Sequence, residues 1–208
     1  MDLSETASTG THYSFDRPPT TRATFIRGSL FVPLPPFMKT YLGPEAWIDF
    51  LQRVDPVASV VLSHQFVALA WYPFKVVTST VDVLEIMGGL LGEPNAVRDM
   101  TTYNLNYATR GLFRAVFKLG SPEFMLSRSN HVWQKFYSRG RMTMPLITRN
   151  EALLQLEGVP DITPNYSKVV MHSMEAVIVK AGGSILVAET TKDVARGDKY
   201  SEYHYRWP

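Results

Sequence analysis

Met142-Thr143-Met144-Pro145-Leu146 and Ala152-Leu153-Leu154-Gln155-Leu156 decide the fold. Met142, Met144 and Leu146 recur at every second position, as do Ala152, Leu154 and Leu156. An extended chain sends such residues to one face, so each stretch reads as a strand with one apolar side. Gly158 to Asn165 reads as loop. Val169, Val170, Ser173, Met174, Val177, Ile178 and Ala181 then return to a helical period, which Gly182-Gly183 ends. Two more strands follow, Ile185 to Thr190 and Lys199 to Trp207, joined by Ala195-Arg196-Gly197-Asp198. In the last, Tyr203, Tyr205 and Trp207 share a face.

Upstream of Met142 the period is helical almost throughout. An ordered segment opens at Phe25 and runs to Val32, where Pro33, Pro35 and Pro36 break it. Gly43-Pro44 starts a helix with Ala46, Trp47, Phe50, Leu51 and Val54 on one stripe; Asp55-Pro56 ends it. Val57 to Ala68 reads as a second short helix. Trp71-Tyr72-Pro73-Phe74 is an aromatic corner. A further helix runs from Phe74 and ends at Gly88-Gly89 or at Gly92. Pro94 starts the longest helix, expected to reach about Lys118. Ser121-Pro122-Glu123 opens another, carrying Trp133, Phe136 and Tyr137 and stopping near Gly140. Helices and strands are segregated along the chain, which predicts an α+β fold. A helical layer of four to six helices packs on a small antiparallel sheet formed mainly by the C-terminal third. Residues 1–22, rich in Ser, Thr and Pro, read as a flexible tail, and residues 23–208 as a single domain.

Composition narrows the function classes. The net charge is +2 and the apolar fraction 45%. Basic residues are scattered, with Lys135, Arg139 and Arg141 as the one dense patch, so nucleic acid is not expected as a partner. There is no cysteine. That removes thiol nucleophiles, disulfides and Cys-ligated metals, and it suits a cytoplasmic location. No secretory signal is visible. The apolar stretches are broken by Lys75, Asp82 and Glu85, so no membrane span is expected.

No catalytic motif appears. Phosphate-binding, dinucleotide-binding, nucleophile-elbow and zinc-protease patterns are all missing, and the chain does not read as an enzyme. Of the five histidines, His131 projects opposite Val132, Trp133, Phe136 and Tyr137, which puts it outward. His172 lies away from the centre of its helix's apolar face. His204 shares the polar strand face with Glu202 and Arg206, and His12 lies in the tail. His64 projects with Val57, Val60, Val61, Val67 and Ala68, on the apolar side. No metal site is expected; His64 and His131 are the weak candidates. The aromatics carry more information. Trp71, Tyr72, Phe74, Tyr107, Trp133 and Tyr137 lie in neighbouring elements, where they read as the walls of an apolar pocket or as the core beside it.

Gly28 with its apolar run, Tyr41-Leu42-Gly43-Pro44-Glu45-Ala46-Trp47, Trp71-Tyr72-Pro73-Phe74, Gly120-Ser121-Pro122-Glu123-Phe124, Trp133-x-x-x-Tyr137-x-x-Gly140, and Arg196-Gly197-Asp198 leading to Tyr205-Arg206-Trp207 occur in a telling order. In that order they resemble a bacterial family abundant in myxobacteria. That family is similar to the 4-vinyl-reductase and heme–nitric-oxide-binding superfamily, which also contains TRAPP-like trafficking subunits. The resemblance covers residues 25–207. It implies a helical layer on an antiparallel sheet, often dimeric, that binds small hydrophobic or tetrapyrrole ligands or acts as a protein adaptor. Two departures stand out. Tyr200 and Ser201 occupy places near the Gly-Asp turn where relatives often carry cysteines. Tyr137-Ser138-Arg139-Gly140-Arg141 resembles the Tyr-x-Ser-x-Arg motif that holds heme propionates, at the wrong spacing.

The leading expectation is a stand-alone, cytoplasmic, small-molecule-binding sensory or regulatory domain. It would take a small hydrophobic or aromatic ligand, signal through a partner regulatory protein and form a homodimer. A dimeric TRAPP-like adaptor with a filled core is the alternative, and a heme-based gas sensor using His64 or His131 is a further one. No cofactor is expected under the leading reading.

Overall fold

The computed structural model describes residue 18 and residues 21–64, 66–110, 117 and 120–208. The tail expected over residues 1–22 lies almost entirely outside these, as do Leu112, Phe113 and Val116.

Strand β1 (Phe25–Arg27) opens the described chain and passes into a short 3-10 turn, Gly28–Leu30. Helix α1 (Leu34–Leu42) follows. The sequence pattern marks Pro33, Pro35 and Pro36 as a break, and they do end the extended segment. They also open a helix, because its first turn has no intrahelical use for their missing N–H groups. Gly43, at φ +83°, separates α1 from α2 (Pro44–Arg53). Trp47, Phe50 and Val54 of the expected stripe are buried. The Asp55 carboxylate accepts from the Val57 N–H at 2.9 Å and caps α3 (Pro56–Ser63).

Strand β2 (Trp71–Pro73) pairs antiparallel with β1, placing Ile26 opposite Tyr72. Helix α4 (Lys75–Leu90) runs through Gly88-Gly89 and ends beside Gly92. Gly88 serves close packing: a Cβ there would lie 2.5 Å from the Ala96 Cβ at the start of α5 (Ala96–Ala108). Helix α5 ends at Ala108, where the Thr109 N–H closes the last turn on the Leu105 carbonyl, so it stops well short of the end expected near Lys118. Beyond it, α6 (Pro122–Ser127) and α7 (Ser129–Phe136) occupy the stretch read as one helix. The buried Ser129 hydroxyl donates to the Leu126 carbonyl, and the chain turns at Arg128.

The C-terminal part follows the alternation except in its first strand, where Met142 is buried but Leu146, expected on the same face, is exposed beyond a register slip. Strands β3 (Arg141–Ile147), β4 (Glu151–Glu157), β5 (Val187–Lys192) and β6 (Ser201–Arg206) form one antiparallel sheet in the order β3-β4-β6-β5. Pro145 lies where the β3–β4 register slips, on an edge strand, where its missing N–H is tolerated. Ala152 faces Tyr205, and Leu154 faces Tyr203. These four are fully buried beneath α8 (Pro164–Lys180). The Tyr203 hydroxyl bonds Ser167 Oγ at 2.9 Å, and the Tyr205 hydroxyl donates to the Met171 carbonyl at 3.2 Å. The architecture is α+β, with eight helices and two antiparallel sheets among the described residues. No described helix is long and apolar enough to cross a membrane.

Candidate functional site

The N-terminal helices and the C-terminal sheet meet along a seam. Ile26 of β1 bridges to Tyr137 just past α7. The Phe25 N–H donates to Ser138 Oγ at 2.8 Å, and the Ser138 N–H donates to the Phe25 carbonyl at 2.9 Å. Asp82 of α4 accepts from Thr163 Oγ1 and Asn165 Nδ2, at 3.1 and 3.0 Å, at the start of α8.

Three of the six expected aromatic residues converge on this seam. Tyr137 stacks on Trp133 with ring centroids 3.7 Å apart. Phe74 meets Tyr137 edge-on at 6.2 Å. The fourth ring is Tyr166, on the first turn of α8, edge-on to Phe74 at 4.7 Å. The two phenol oxygens, of Tyr137 and Tyr166, lie 2.5 Å apart. Burial pushes the Tyr137 hydroxyl up to about 12, against the Tyr166 hydrogen bond, which acts the other way. Burial, then the nearby Tyr137, raises Tyr166 well above the ordinary phenol range. Both stay neutral, so the seam is an apolar wall with one paired polar handle. The Trp133 Nε1–H donates to the Arg139 carbonyl at 2.8 Å. A Cβ on Gly140, at φ +92°, would lie 2.8 Å from that Nε1 atom, so only glycine fits beside the indole.

The other three aromatics lie elsewhere. Tyr72 packs edge-on to Phe31 at 5.4 Å, and its hydroxyl accepts from the Val67 N–H at 2.8 Å. Trp71, next along β2, sits beneath the Arg27 guanidinium, 4.2 Å away. Tyr107 is 37% exposed near the end of α5, with the Arg110 guanidinium 5.2 Å from its ring. Sequence reasoning missed Tyr166. Its signal was the Thr163-Pro164 helix start, which fixes Tyr166 on the first turn, but nothing local says which ring it meets.

The histidines need one correction. α3 ends at Ser63, so the expected helical projection does not apply to His64. It is the C-terminal cap, exposed, with Nδ1 3.0 Å from the Val60 carbonyl. Val60 and Val67, expected beside it on a buried face, are 55% and 47% exposed. His131 is exposed, as its projection indicates; Val132, expected inward, is half-exposed. His204 lies on the outer sheet face between Glu151, at 2.8 Å, and Glu189, at 3.1 Å. The Glu151 hydrogen bond, then that of Glu189, raise its imidazole above the ordinary value. Glu202 on the same face is nevertheless buried, held by Gln155 and Thr191 at 2.7 and 3.0 Å. No cluster of three or more metal-ligating side chains occurs among the described residues.

No family model and no curated protein matches the sequence. Solved structures do match. An Fe(II) unliganded H-NOX protein from K. algicida superposes with a TM-score of 0.65 at 10% identity, over 88% of this chain and 97% of that one. The chain has the fold of the H-NOX domains. An H-NOX protein from S. oneidensis in the Fe(II)NO state also gives a TM-score of 0.65, at 13% identity, over 88% of this chain and 99% of that one. An oxygen-binding H-NOX domain related to soluble guanylate cyclases, in its oxygen complex, gives 0.57 at 11% identity, over 88% and 95%. The H-NOX likeness extends through both the helical part and the sheet. At these identities it concerns the fold, and a fold does not by itself fix chemistry.

Proposed function

We propose that this chain is a ligand-binding sensory domain built on the H-NOX fold. What supports the reading is the likeness to that fold over 88% of the chain, a fold that the matched proteins use to hold NO or oxygen. A small apolar ligand would enter at the seam, among Phe74, Trp133, Tyr137 and Tyr166. It would part Tyr137 from Tyr166 and so loosen β1 and α7 from α8. Binding to that parted form shifts the population toward it, and a partner protein would read the change. Trp71, Tyr72 and Tyr107 fall outside this site.

The same likeness favours a second reading, a heme-based gas sensor. Heme of the family type fits the residues here poorly. The sequence has no histidine between His64 and His131, and both of these are exposed. The residues resembling a propionate clamp are engaged with the protein itself: Tyr137 with Tyr166, Ser138 with Phe25, and Arg139 with the Arg22 carbonyl. No step is therefore assigned to heme.

The test is native mass spectrometry of the protein purified from its own host, with an absorbance spectrum of the same sample. A bound small molecule without a Soret band supports the leading reading; a Soret band supports the second. A bare mass at dimer stoichiometry would move the function to a TRAPP-like adaptor surface. Phe74→Ala should abolish ligand-induced thermal stabilisation, and Tyr107→Ala should leave it unchanged.

A further inference from the structure

A second site lies away from the aromatic seam. Arg98, Thr102, Leu105 and Asn106 form one stripe of α5, and His172, Glu175, Ala176, Val179 and Lys180 form the facing stripe of α8. Between them runs a groove of about 320 Å³, near the lower bound for small-molecule sites. From His172 to Lys180 it is ~12 Å long at the helical rise.

The charges in this groove are unevenly compensated. Glu175 is buried, and both its oxygens are used: one accepts from Arg98 and the other lies 2.9 Å from His172 Nδ1. Arg98 is therefore neutralised. Lys180 is different. Its ammonium donates to the neutral Asn106 side chain at 2.8 Å, and no carboxylate pairs with it among the described residues. The C-terminal end of α8 offers the equivalent of about half a negative charge, which offsets only part of it. Beside this cation lie Leu105, Ala176 and Val179, the last 54% exposed. A surplus positive charge next to an apolar wall suits a ligand with one negative end and an apolar body.

We propose that the α5–α8 groove binds a carboxylate-bearing amphiphile. The carboxylate accepts hydrogen bonds from Lys180 Nζ and the Asn106 amide, and the apolar body lies over Leu105, Ala176 and Val179 toward Arg98. The site is independent of the aromatic seam. Because it joins α5 to α8, its occupant ties the helical part of the molecule to the sheet part without opening the core.

The probe is sodium octanoate, titrated into the full chain and followed by backbone amide NMR shifts. Saturable shifts centred on Ala176 and Val179 are expected. Lys180→Gln should weaken binding at least fivefold, and octanol, uncharged and of the same length, should bind at least fivefold more weakly than octanoate. Val179→Asp, at an exposed position, should abolish the shifts while its circular dichroism melt stays that of the parent. Equal affinity of the parent and Lys180→Gln, equal binding of octanol, or no saturable shift would overturn the proposal. Saturable shifts at Phe74 and Tyr137 instead would also overturn it, while leaving the sensory reading standing.

Discussion

The seam and the groove are built from opposite materials. At the seam, Phe74, Trp133, Tyr137 and Tyr166 fill the space ring against ring, and one phenol pair is the polar handle. In the groove, a buried carboxylate is shared between an arginine and a histidine, and a lysine is left over. A ligand at the seam must displace packing, so its binding is coupled to a change in shape. A ligand in the groove displaces little more than water. The first arrangement suits a response; the second suits recognition of charge.

This contrast can be broken by substitution. Phe74 is 1% exposed, and Phe74→Ala should cost about 3–5 kcal/mol by lost burial and the cavity left behind. Denaturant unfolding will measure it, and a loss under 1 kcal/mol would mean that the seam is not packed as described. Tyr137→Phe keeps the ring but strands the buried Tyr166 hydroxyl, at a cost of about 1–3 kcal/mol. Glu175→Gln acts mainly in the groove, although burial, then Tyr203 and the nearby Glu175 charge, raise the Tyr205 hydroxyl above the ordinary phenol range. Arg98 is half-exposed and rehydrates, so screening limits the loss to about 1 kcal/mol. A larger loss for Glu175→Gln than for Tyr137→Phe would reverse the comparison.

The smallest effect belongs to neither region. His204 on the outer sheet face can donate to Glu151 and Glu189 at once only as imidazolium. Its folded-state value is raised above the unfolded one. The stability it contributes is therefore fully present below about pH 6.5 and lost as pH rises through the raised value. NMR titration of the ring should show protonation persisting above the ordinary range, and His204→Gln should flatten this part of the pH–stability curve.

The sheet was legible because alternation is local. Ala152, Leu154, Leu156, Tyr203 and Tyr205 lie on the buried face that their spacing indicates. The helical part was legible at Ser121, which accepts from the Phe124 N–H as its cap; Asp55, read only as the end of the preceding helix, and Thr163, read as loop, turn out to be caps as well. It was less legible where side chains rewrite the backbone. The break at Arg128 has no glycine or proline to announce it; Ser129 makes it by bonding Leu126. His64 changed face because the helix ends at Ser63, one residue before it and short of the expected Ala68, and a projection fails once the helix ends. The Tyr137–Tyr166 pair joins residues 29 apart, and the Lys180–Asn106 bond joins residues 74 apart. Local patterns give neither pairing, so the sequence suggested aromatic walls without showing which rings share a wall.

The most direct test of the sensory account is the mass of the protein as its own host makes it. Native mass spectrometry should find the chain carrying a bound small molecule, and absorbance of the same sample should show no Soret band. A bare chain mass would contradict the ligand-binding claim. A Soret band would keep that claim but contradict the poor fit of heme to His64, His131 and the Tyr137–Arg139 segment.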